Sequence, residues 1–259
     1  MLVFVLNAGS SSLKYQLIDI KSKELKASGL VERIGIDGIL KHEIGENKKI
    51  TFELPIPTHK EAIELVLRIL TNDETKVINS IDEIKAIGHR VVHGGEHFKG
   101  SVIVDDEVIR KIEELIPLAP LHNPANILGV KICKDLMPKV PNVVTFDTAF
   151  HQTMPMENFL YAVPYADYTE HHLRKYGFHG TSHYYVSQEA IKLLNKKDSK
   201  VIVCHLGNGS SVCAVKDGKS ISTSMGLTPL EGLVMGTRSG DIDAGVIPYK
   251  KKKKGLNHI

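Results

Sequence analysis

The sequence predicts an α/β protein that folds as two domains. The chain has 259 residues, enough to bury one large core or two ordinary ones. Short apolar strands and segments of helical spacing occur together in the first half, and the second half repeats this mixture. Each half also contains a strand that enters a Gly/Ser/Asn turn and leaves it as a second strand. We place the domain boundary near residues 147–155.

The first half is predicted to begin as strand, turn and strand. Residues 2–6 are apolar, residues 7–12 (NAGSSS) favour a turn, and residues 14–20 alternate in polarity. Further strands of the first half are predicted in four segments: 25–34, 49–54, 84–92 and 143–146.

Three helices are predicted in the first half from apolar residues at helical spacing and from capping residues. The first follows a capping box formed by Thr58 and Glu61. The second begins at residues 105–106, where an aspartate precedes a periodic apolar face. The third has Asn123 as its N-cap and Pro124 at its first helical position, which is a strong start signal.

The second half is predicted to form a helix over 180–194 and then three strands: 200–206, 212–216 and 220–224. The first of these strands ends in the turn 207–211 (GNGSS). The other two meet at Asp217-Gly218, a dipeptide that favours a tight hairpin turn.

Composition excludes several classes of partner. A net charge of +3 is too small to indicate nucleic acid, and five positive charges lie in Lys250–Lys254. No apolar run is long enough to span a bilayer, and residues 1–6 lack the basic region of a signal peptide. We therefore expect a cytoplasmic protein with no nucleic-acid or membrane partner. Cys133, Cys204 and Cys213 form no CxxC pair, and we expect them to be small buried side chains.

Two turns are candidate phosphate-binding sites. Residues 7–14 (NAGSSSLK) and 205–211 (HLGNGSS) offer backbone N–H groups and hydroxyls, which suit phosphate oxygens. Neither is a Walker loop, because GxxxxGK[ST] is absent from the sequence. The first turn is equally compatible with an ordinary hairpin. Two similar turns, one in each half, favour a cleft in which both turns bind one phosphate chain.

Two arginines beside glycines are candidate anion ligands. Arg90 precedes the segment 91–95 (VVHGG), and Arg238 lies within 236–241 (GTRSGD). A planar guanidinium grips a carboxylate or phosphate with two hydrogen bonds. A single arginine more often forms a structural ion pair, and the repeated glycine context favours the anion-binding interpretation.

Three further residues are candidates for the site, and each also has a structural interpretation. Asp147 follows an apolar strand, where a carboxylate suits either a magnesium ion or a turn cap. His179 lies just before a predicted helix, where an anion is favoured, and His122 is comparably placed. Each histidine by itself is more often structural than functional.

Together these segments closely resemble the acetate kinase family, within the acetate and sugar kinase/Hsp70/actin superfamily. The matching blocks are NAGSSSLK (7–14), GHRVVHGG (88–95), PLAPLHNP (117–124), TFDTAFHQ (145–152), YGFHGTSH (176–183), HLGNGSS (205–211) and GLTPLEGLVMGTRSGDID (226–243). The resemblance implies two actin-like or ribonuclease-H-like α/β domains with mixed sheets, the second incomplete. It implies an acyl- and phosphate-side domain over 1–150, a nucleotide-side domain over 151–249 and a basic tail over 250–259.

The resemblance also implies roles for residues at matching positions. Arg90 and Arg238 hold the substrate carboxylate and the phosphoryl group, and His179 stabilises the charge that develops on that group. Asn7 and Asp147 place a magnesium ion. The pocket for the acyl methyl group is lined by Val92, Leu121, Phe178 and Pro229. His122 lies near His179 and also binds the substrate. The phosphate and nucleotide region is lined by Ser10, Ser12, Lys14, His205, Leu206, Gly207, Asn208 and Gly209.

The implied reaction is ATP + acetate = ADP + acetyl phosphate, by direct in-line phosphoryl transfer, in acetate and acetyl-CoA metabolism. A small carboxylate is already ionised at neutral pH, so its attacking oxygen needs no general base. Phosphoryl transfer instead needs alignment and charge neutralisation, which explains why the candidate residues are mostly cations.

Family members continue beyond the last matching block, and the lysine-rich end of this chain does not resemble that continuation. We therefore expect the adenosine-binding segment and most of the homodimer surface to be missing, and this chain to have little or no kinase activity. Two alternatives remain open at this point. One is a propionate or other short-chain acyl kinase, and the other is an inactive fragment or a non-catalytic nucleotide-binding protein.

Overall fold

The computed structural model describes residues 1–45, 48–196 and 198–254. The chain divides into two compact units, Met1–Ala149 and Phe150–Ile259. Residues 255–259 of the predicted basic tail lie outside the described residues. None of the helices in the described part combines the length and apolar composition that crossing a bilayer requires.

The first unit is built on a mixed sheet. Its strands are β1 (Leu2–Ala8), β2 (Leu13–Asp19), β3 (Glu24–Glu32), β4 (Ile39–Ile44), β5 (Lys48–Glu53), β6 (Ile84–Val91), β7 (Val102–Ile103) and β8 (Asn142–Phe146). Their order across the sheet is β5-β4-β3-β2-β1-β6-β8-β7. Strands β1 to β5 form an antiparallel meander, whereas β1, β6 and β8 run parallel, so the mixed sheet predicted for this half is confirmed.

Helices of the first unit cover one face of this sheet. They are α1 (His59–Thr71), α2 (Asp106–Glu114) and α3 (Asn123–Leu136). Alternate residues of the parallel strands, such as Leu6 and His89, are buried with α1 and α3. Leu6 pairs with His89 in the β1–β6 register, so their successors Asn7 and Arg90 lie on the opposite face, where both are half-buried. This face carries Asn7 and Arg90, two of the candidate site residues of the unit.

Two expectations about the first unit were wrong. Asn123 does not cap α3: His122 occupies the N-cap position, and Asn123 lies inside the helix with its amide on the backbone of His93. Strand β4 was missed because its inward-facing residues are Leu40 and His42. His42 is fully buried and hydrogen-bonds Tyr15 through Nδ1 at 2.5 Å, so a polar residue interrupts the apolar alternation.

The second unit contains a three-stranded sheet in its described residues. Helices α4 (Met156–Phe159), α5 (Tyr165–His171) and α6 (Gly180–Leu194) precede strands β9 (Lys200–His205), β10 (Ser211–Lys216) and β11 (Lys219–Thr223), and α7 (Val246–Lys254) ends the described chain. The sheet order is β11-β10-β9 and all its pairs are antiparallel, whereas mixed sheets were expected in both halves. Each of these strands is joined to the next by a short turn, which only an antiparallel pair permits.

Local signals in the second unit were accurate. Helix α6 spans the predicted residues, and Asp217 and Gly218 both have positive φ (51° and 76°), as a tight hairpin turn requires. Lys250–Lys254 belong to α7, in agreement with the high helix propensity of lysine, and they are exposed. Cys133 and Cys213 are buried as expected, but Cys204 is exposed because it lies on the outward face of β9.

Candidate active site

Arg90 and Asp147 form the centre of the site in the first unit. Arg90 lies near the end of β6, and Asp147 directly follows β8, with its N–H donating to the carbonyl of Val91 at 3.1 Å. Arg90 Nε and Nη2 donate to Asp147 Oδ1 and Oδ2 at 3.0 and 2.6 Å. The Asp147 side chain is 3% exposed and that of Arg90 is 39% exposed. The hydrogen bond to Asp147 raises the pKa of Arg90, so this cation is permanent.

This ion pair orients the guanidinium. It uses the edge formed by Nε and Nη2, and the third nitrogen, Nη1, takes no part in it. A guanidinium carries five N–H donors in a rigid plane, so donors remain for an anion. Asp147 thus serves as the structural partner of Arg90 while Arg90 keeps its capacity to bind a second anion.

Two asparagines of α3 hold the loops beside Arg90. Asn126 accepts from the N–H of Val92 at 3.1 Å and donates to the carbonyl of Ala8 at 2.7 Å. Asn123 accepts from the N–H of His93 and donates to its carbonyl, both at 3.1 Å. Asn126 was not predicted as a site residue. Its position four residues before the buried Val130 puts it on the buried face of α3, and a polar residue there indicates a structural hydrogen bond. These amides align the ends of β1 and β6.

Asn7, Ser10, Ser12 and Lys14 surround the first turn. Asn7 and Lys14 face each other in the register of β1 and β2, and the N–H of Gly9 closes the turn on the carbonyl of Ser12 at 2.8 Å. Ser10 is exposed and Ser12 is half-buried. An open cavity of about 450 Å³ is lined by Asn7, Lys14, Gln16, Lys41 and Glu43 among others. The turn therefore has donors and a cation at its rim.

Asn7 and Asp147 are donors of the right kind for the magnesium ion that the resemblance implies. Amide and carboxylate oxygens are hard ligands, and Arg90 leaves part of the lone-pair capacity of Asp147 unused. In the described residues, no group of three or more His, Cys, Asp or Glu side chains converges. Such a donor set suits an ion that keeps most of its water and also binds phosphate oxygens.

The predicted substrate-binding residues of the first unit differ in the solvent exposure of their side chains. Val92 is buried at 6% exposure, directly beyond β6. Leu121 is 78% exposed, and His122 is exposed at the start of α3. The first unit by itself therefore presents Leu121 and His122 on its surface and places Val92 in its interior.

His179 is held in an unusual backbone conformation at the start of α6. Its φ and ψ are 58° and 19°, the left-handed region that residues other than glycine seldom adopt. Its Nδ1 is 2.9 Å from the hydroxyl of Ser211, and its ring stacks on His205 with centroids 4.0 Å apart. The preceding Phe178 is buried, and its carbonyl accepts from His151 Nε2 at 3.0 Å. Strain of this kind often accompanies functional sites.

Arg238 is fixed by its own loop. Its Nη1 donates to the carbonyl of Pro229 at 3.0 Å and lies 3.6 Å from the sulfur of Met235. The loop is closed by Asp241, whose N–H donates to the carbonyl of Gly232 at 2.9 Å and whose Oδ1 accepts from the N–H of Gly232 at 2.7 Å. The structure thus brings together Pro229 and Arg238, through the proline carbonyl.

The turn after β9 joins the Arg238 loop. The N–H of Gly236 donates to the carbonyl of Asn208 at 3.1 Å, and the hydroxyl of Ser210 donates to the carbonyl of Gly207 at 2.9 Å. Leu206, Gly207 and Asn208 are exposed, and His205 and Gly209 are half-buried.

Gly209 keeps a small space open between two cationic or polar side chains. A Cβ on Gly209 would lie 3.4 Å from Arg238 Nη1 and 3.4 Å from His179 Nε2. We call the space bordered by Gly209, His179 and Arg238 the Gly209 cradle. Two side-chain donors that converge on a glycine suit one oxygen of an anion.

Glu231 and Tyr161, which were not predicted as site residues, support the segment that leads to Arg238. Glu231 accepts from Lys175 Nζ and from the hydroxyl of Tyr161, and that hydroxyl accepts from the N–H of Leu227 at 2.8 Å. Burial is the main cause that raises the pKa of Tyr161, so its hydroxyl stays protonated. Tyr161 lies outside every matching block, and no local pattern marks it.

Comparison with known proteins identifies the family. The model of the Acetokinase family matches residues 2–258. The chain is 57% identical to an acetate kinase of Lachnoclostridium phytofermentans and 55% identical to one of Caldanaerobacter subterraneus. These alignments cover 99% of this chain but 66% and 65% of the two relatives, so the chain spans just under two thirds of their length.

Solved structures agree with this comparison. An acetate kinase of Porphyromonas gingivalis superposes with a TM-score of 0.95 at 47% identity, and a propionate kinase of Francisella tularensis with 0.92 at 46% identity. Both matches cover 99% of this chain and 65% of the solved chain. The predicted α/β, actin-like fold is confirmed. The chain belongs to the acetokinase family.

Proposed function

We propose that this chain carries the phosphoryl-transfer groups of an acetate kinase, which catalyses ATP + acetate = ADP + acetyl phosphate. The observation that carries the proposal is the ion pair of Arg90 and Asp147. This pair fixes the orientation of the Arg90 guanidinium and leaves its Nη1 outside the pair. In this proposal the first unit serves the acyl and phosphate side, and the second unit serves the nucleotide side. In this proposal the protein is cytoplasmic, and the chain lacks most of the surface through which members of the family form homodimers.

The proposed mechanism assigns alignment and charge neutralisation to the protein. Acetate is ionised at neutral pH, so no residue has to remove a proton from the nucleophile. Arg90 orients the carboxylate with its free donors, and Asp147 holds the guanidinium plane. His179 and Arg238 donate to an oxygen of the transferring phosphoryl group in the Gly209 cradle. Donors fixed in advance stabilise the transition state more than the ground state, because they need no reorganisation.

The remaining predicted residues complete the proposed binding of substrates. Asn7 and Asp147 would hold magnesium, which when bound neutralises phosphate charge. The phosphates of ATP contact Ser10, Ser12, Lys14 and the turn formed by His205, Leu206, Gly207, Asn208 and Gly209. The acyl methyl group contacts Val92, Leu121, Phe178 and Pro229, and His122 also contacts the substrate.

The test is an acyl phosphate assay on the purified 259-residue chain. Acetyl phosphate formed from ATP, magnesium and acetate is trapped with hydroxylamine and measured as the hydroxamate. This chain should form little or no acyl phosphate, so the role of Arg90 is tested in a full-length relative. Replacing the arginine that matches Arg90 by alanine should lower turnover there by about 10³-fold, the lower end of the effect of such arginines. The control replaces the residue that matches Arg110, an exposed arginine of α2. Equal turnover of the wild-type relative and its arginine variant would contradict the mechanism, and robust turnover by the 259-residue chain would contradict the expectation that it has little or no activity.

A second candidate is a propionate kinase. This candidate is supported by the structural similarity to the Francisella tularensis propionate kinase, which has a TM-score of 0.92. One methylene in an apolar pocket changes binding by only about 1–3 kcal/mol, so both substrates can turn over. Comparing kcat/KM for acetate, propionate and butyrate decides between them. A maximum at propionate would replace acetate as the proposed substrate.

A further inference from the structure

Four histidines lie close together in the second unit: His151, His179, His183 and His205. The rings of His179 and His205 are stacked, and the ring of His183 lies 6.5 Å from that of His179 and 6.3 Å from that of His205. His151 and His183 are fully buried. The proposed function assigns roles to His179 and His205 and gives none to His151 and His183.

Ser211 connects two of these rings. Its hydroxyl oxygen lies 2.9 Å from His179 Nδ1 and 2.7 Å from His183 Nε2. Ser211 is fully buried. A hydroxyl has a single hydrogen, so it can donate to only one of the two rings and must accept from the other. The direction of this chain of hydrogen bonds therefore decides where each imidazole carries its proton.

The other nitrogen of His183 sets the direction. His183 Nδ1 is buried and has no hydrogen-bond partner among the described residues. A buried N–H without a partner is rarer and more costly than a buried lone pair without one, so Nδ1 is the bare nitrogen. Burial, helped by the neighbouring histidines, lowers the pKa of His183 to about 3, which keeps this ring neutral. Its single proton is then on Nε2, which donates to Ser211.

The hydroxyl of Ser211 must consequently donate to Nδ1 of His179. When His179 is neutral, its own proton is then on Nε2. That nitrogen and the adjacent Cε1 are the atoms of His179 that border the Gly209 cradle, and Arg238 Nη1 borders it as well. With the opposite direction, Nε2 of neutral His179 would be a bare acceptor and would repel an anion.

We propose that Ser211 and His183 are positioning residues that hold the proton of neutral His179 on Nε2, directed at the Gly209 cradle. We call the three residues the Ser211 relay. Its value for catalysis rests on the proposed function, but the position of the proton can be measured without any reaction. The left-handed backbone of His179 and the stack on His205 hold the ring in the orientation that the relay needs.

The first test is nitrogen NMR of the whole chain with labelled histidine, at pH 8, where an ordinary imidazole is neutral. Protonated and bare ring nitrogens resonate far apart, so the spectrum identifies the tautomer, and the His179→Gln variant assigns the signal of His179. We expect the proton on Nε2 and a hydrogen-bonded, bare Nδ1. A proton on Nδ1 of His179 in the wild-type chain would overturn the proposal.

The second test uses variants in the same spectrum. Ser211→Ala should raise the population of the Nδ1–H tautomer about fivefold, the factor expected for one lost hydrogen bond. His183→Leu should act in the same direction, whereas His183→Gln keeps an N–H donor for Ser211 and should preserve the wild-type tautomer. The matched control is Ser220→Ala, because Ser220 is equally buried and bonds a different ring, that of His151, at 2.9 Å.

These variants separate the relay from a purely structural role. If Ser211→Ala and Ser220→Ala lower the unfolding temperature equally but only Ser211→Ala changes the His179 tautomer, the relay is supported. An unchanged tautomer in both Ser211→Ala and His183→Leu would refute it. Inorganic phosphate should bind more weakly to Ser211→Ala than to Ser220→Ala. If a full-length relative kept its turnover without the arginine that matches Arg90, while this chain showed the expected tautomers, the proposed function would be contradicted and the relay would stand.

Discussion

Arg90 and Asp147 are 57 residues apart in the sequence, yet two hydrogen bonds of 3.0 and 2.6 Å join them. They meet because β6 and β8 are adjacent parallel strands, which puts the end of one beside the end of the other. The carboxylate is almost fully buried and the guanidinium is partly exposed. The pair therefore links the stability of the first unit to the orientation of the Arg90 guanidinium.

A double-mutant cycle on this pair should give a clear coupling energy. Arg90→Ala should lower the free energy of unfolding by about 1–3 kcal/mol, because it leaves the buried Asp147 carboxylate without its cation. The double variant Arg90→Ala/Asp147→Ala should lose much less than the sum of the single variants. Urea unfolding followed by circular dichroism measures all four proteins. The control cycle is the exposed pair Arg33 and Asp37, for which additive effects are expected. Additive effects at Arg90 and Asp147 would contradict the interpretation.

Gly209→Ala should weaken anion binding without harming the fold. Its Cβ would lie 3.4 Å from Arg238 Nη1 and from His179 Nε2, in ordinary contact with both, and would fill the Gly209 cradle. We expect at least a tenfold rise in the Kd for ATP, about 1.4 kcal/mol, with little change in the unfolding temperature. Calorimetric titration measures this binding. Unchanged affinity would show that the cradle holds no phosphate oxygen.

Gly177→Ala is the matched glycine variant with the opposite expectation. Gly177 has φ of +74°, and a Cβ there would lie 2.4 Å from Thr223 Cγ2 and 2.8 Å from His151 Cδ2. Left-handed strain and overpacking should together cost about 2–4 kcal/mol of stability. Thermal unfolding of the two glycine variants side by side separates a binding defect from a folding defect.

Asn126→Ala should destabilise the first unit. It would leave the N–H of Val92 and the carbonyl of Ala8 buried without their present partner. Two such groups should cost about 2–4 kcal/mol of unfolding free energy, measured in urea. The control Asn79→Ala removes an exposed amide of the same unit and should cost less than about 0.5 kcal/mol. Equal effects would show that the buried amide does not hold the two loops.

Stability should fall as the pH is lowered from about 6.5 to 4. Burial lowers the pKa of His89 to about 4 and that of His93 to about 4, against an ordinary value of 6.5 in the unfolded chain. Between these values the unfolded state binds more protons, so acid favours unfolding. Each group adds up to about 1.4 kcal/mol per pH unit to the slope. Urea unfolding at a series of pH values measures that slope.

Two variants test the origin of this pH dependence. His89→Gln keeps an N–H donor for Asn142, which His89 Nε2 contacts at 2.7 Å, and removes the titration, so the slope should become shallower. His97→Gln changes an exposed histidine and should leave the slope unchanged. A wild-type slope in the His89→Gln variant would mean that other groups dominate.

Local patterns predicted the elements well where burial and polarity agree. Helix α6 has the predicted bounds, and the strands that meet at Asp217-Gly218 lie within one residue of theirs, because these signals lie within a few neighbouring residues. Prediction failed where a buried residue is polar. His42 concealed strand β4, and Asn123 resembles a helix cap but bonds the backbone of His93 instead. In both places the polar side chain hydrogen-bonds a partner distant in the sequence, and periodicity contains no information about that partner.

The sequence by itself determined the family, the α/β class and the residue types of the site, because ordered blocks of specific residues are visible without coordinates. The tertiary structure alone decided which groups meet. It paired Arg90 with Asp147, placed Nε2 of His179 beside Arg238 Nη1 at Gly209, and joined His179 to His183 through Ser211. Hydrogen-bond direction and the position of a proton depend on distances of about 3 Å between residues far apart in the chain. Only the packed fold determines such distances.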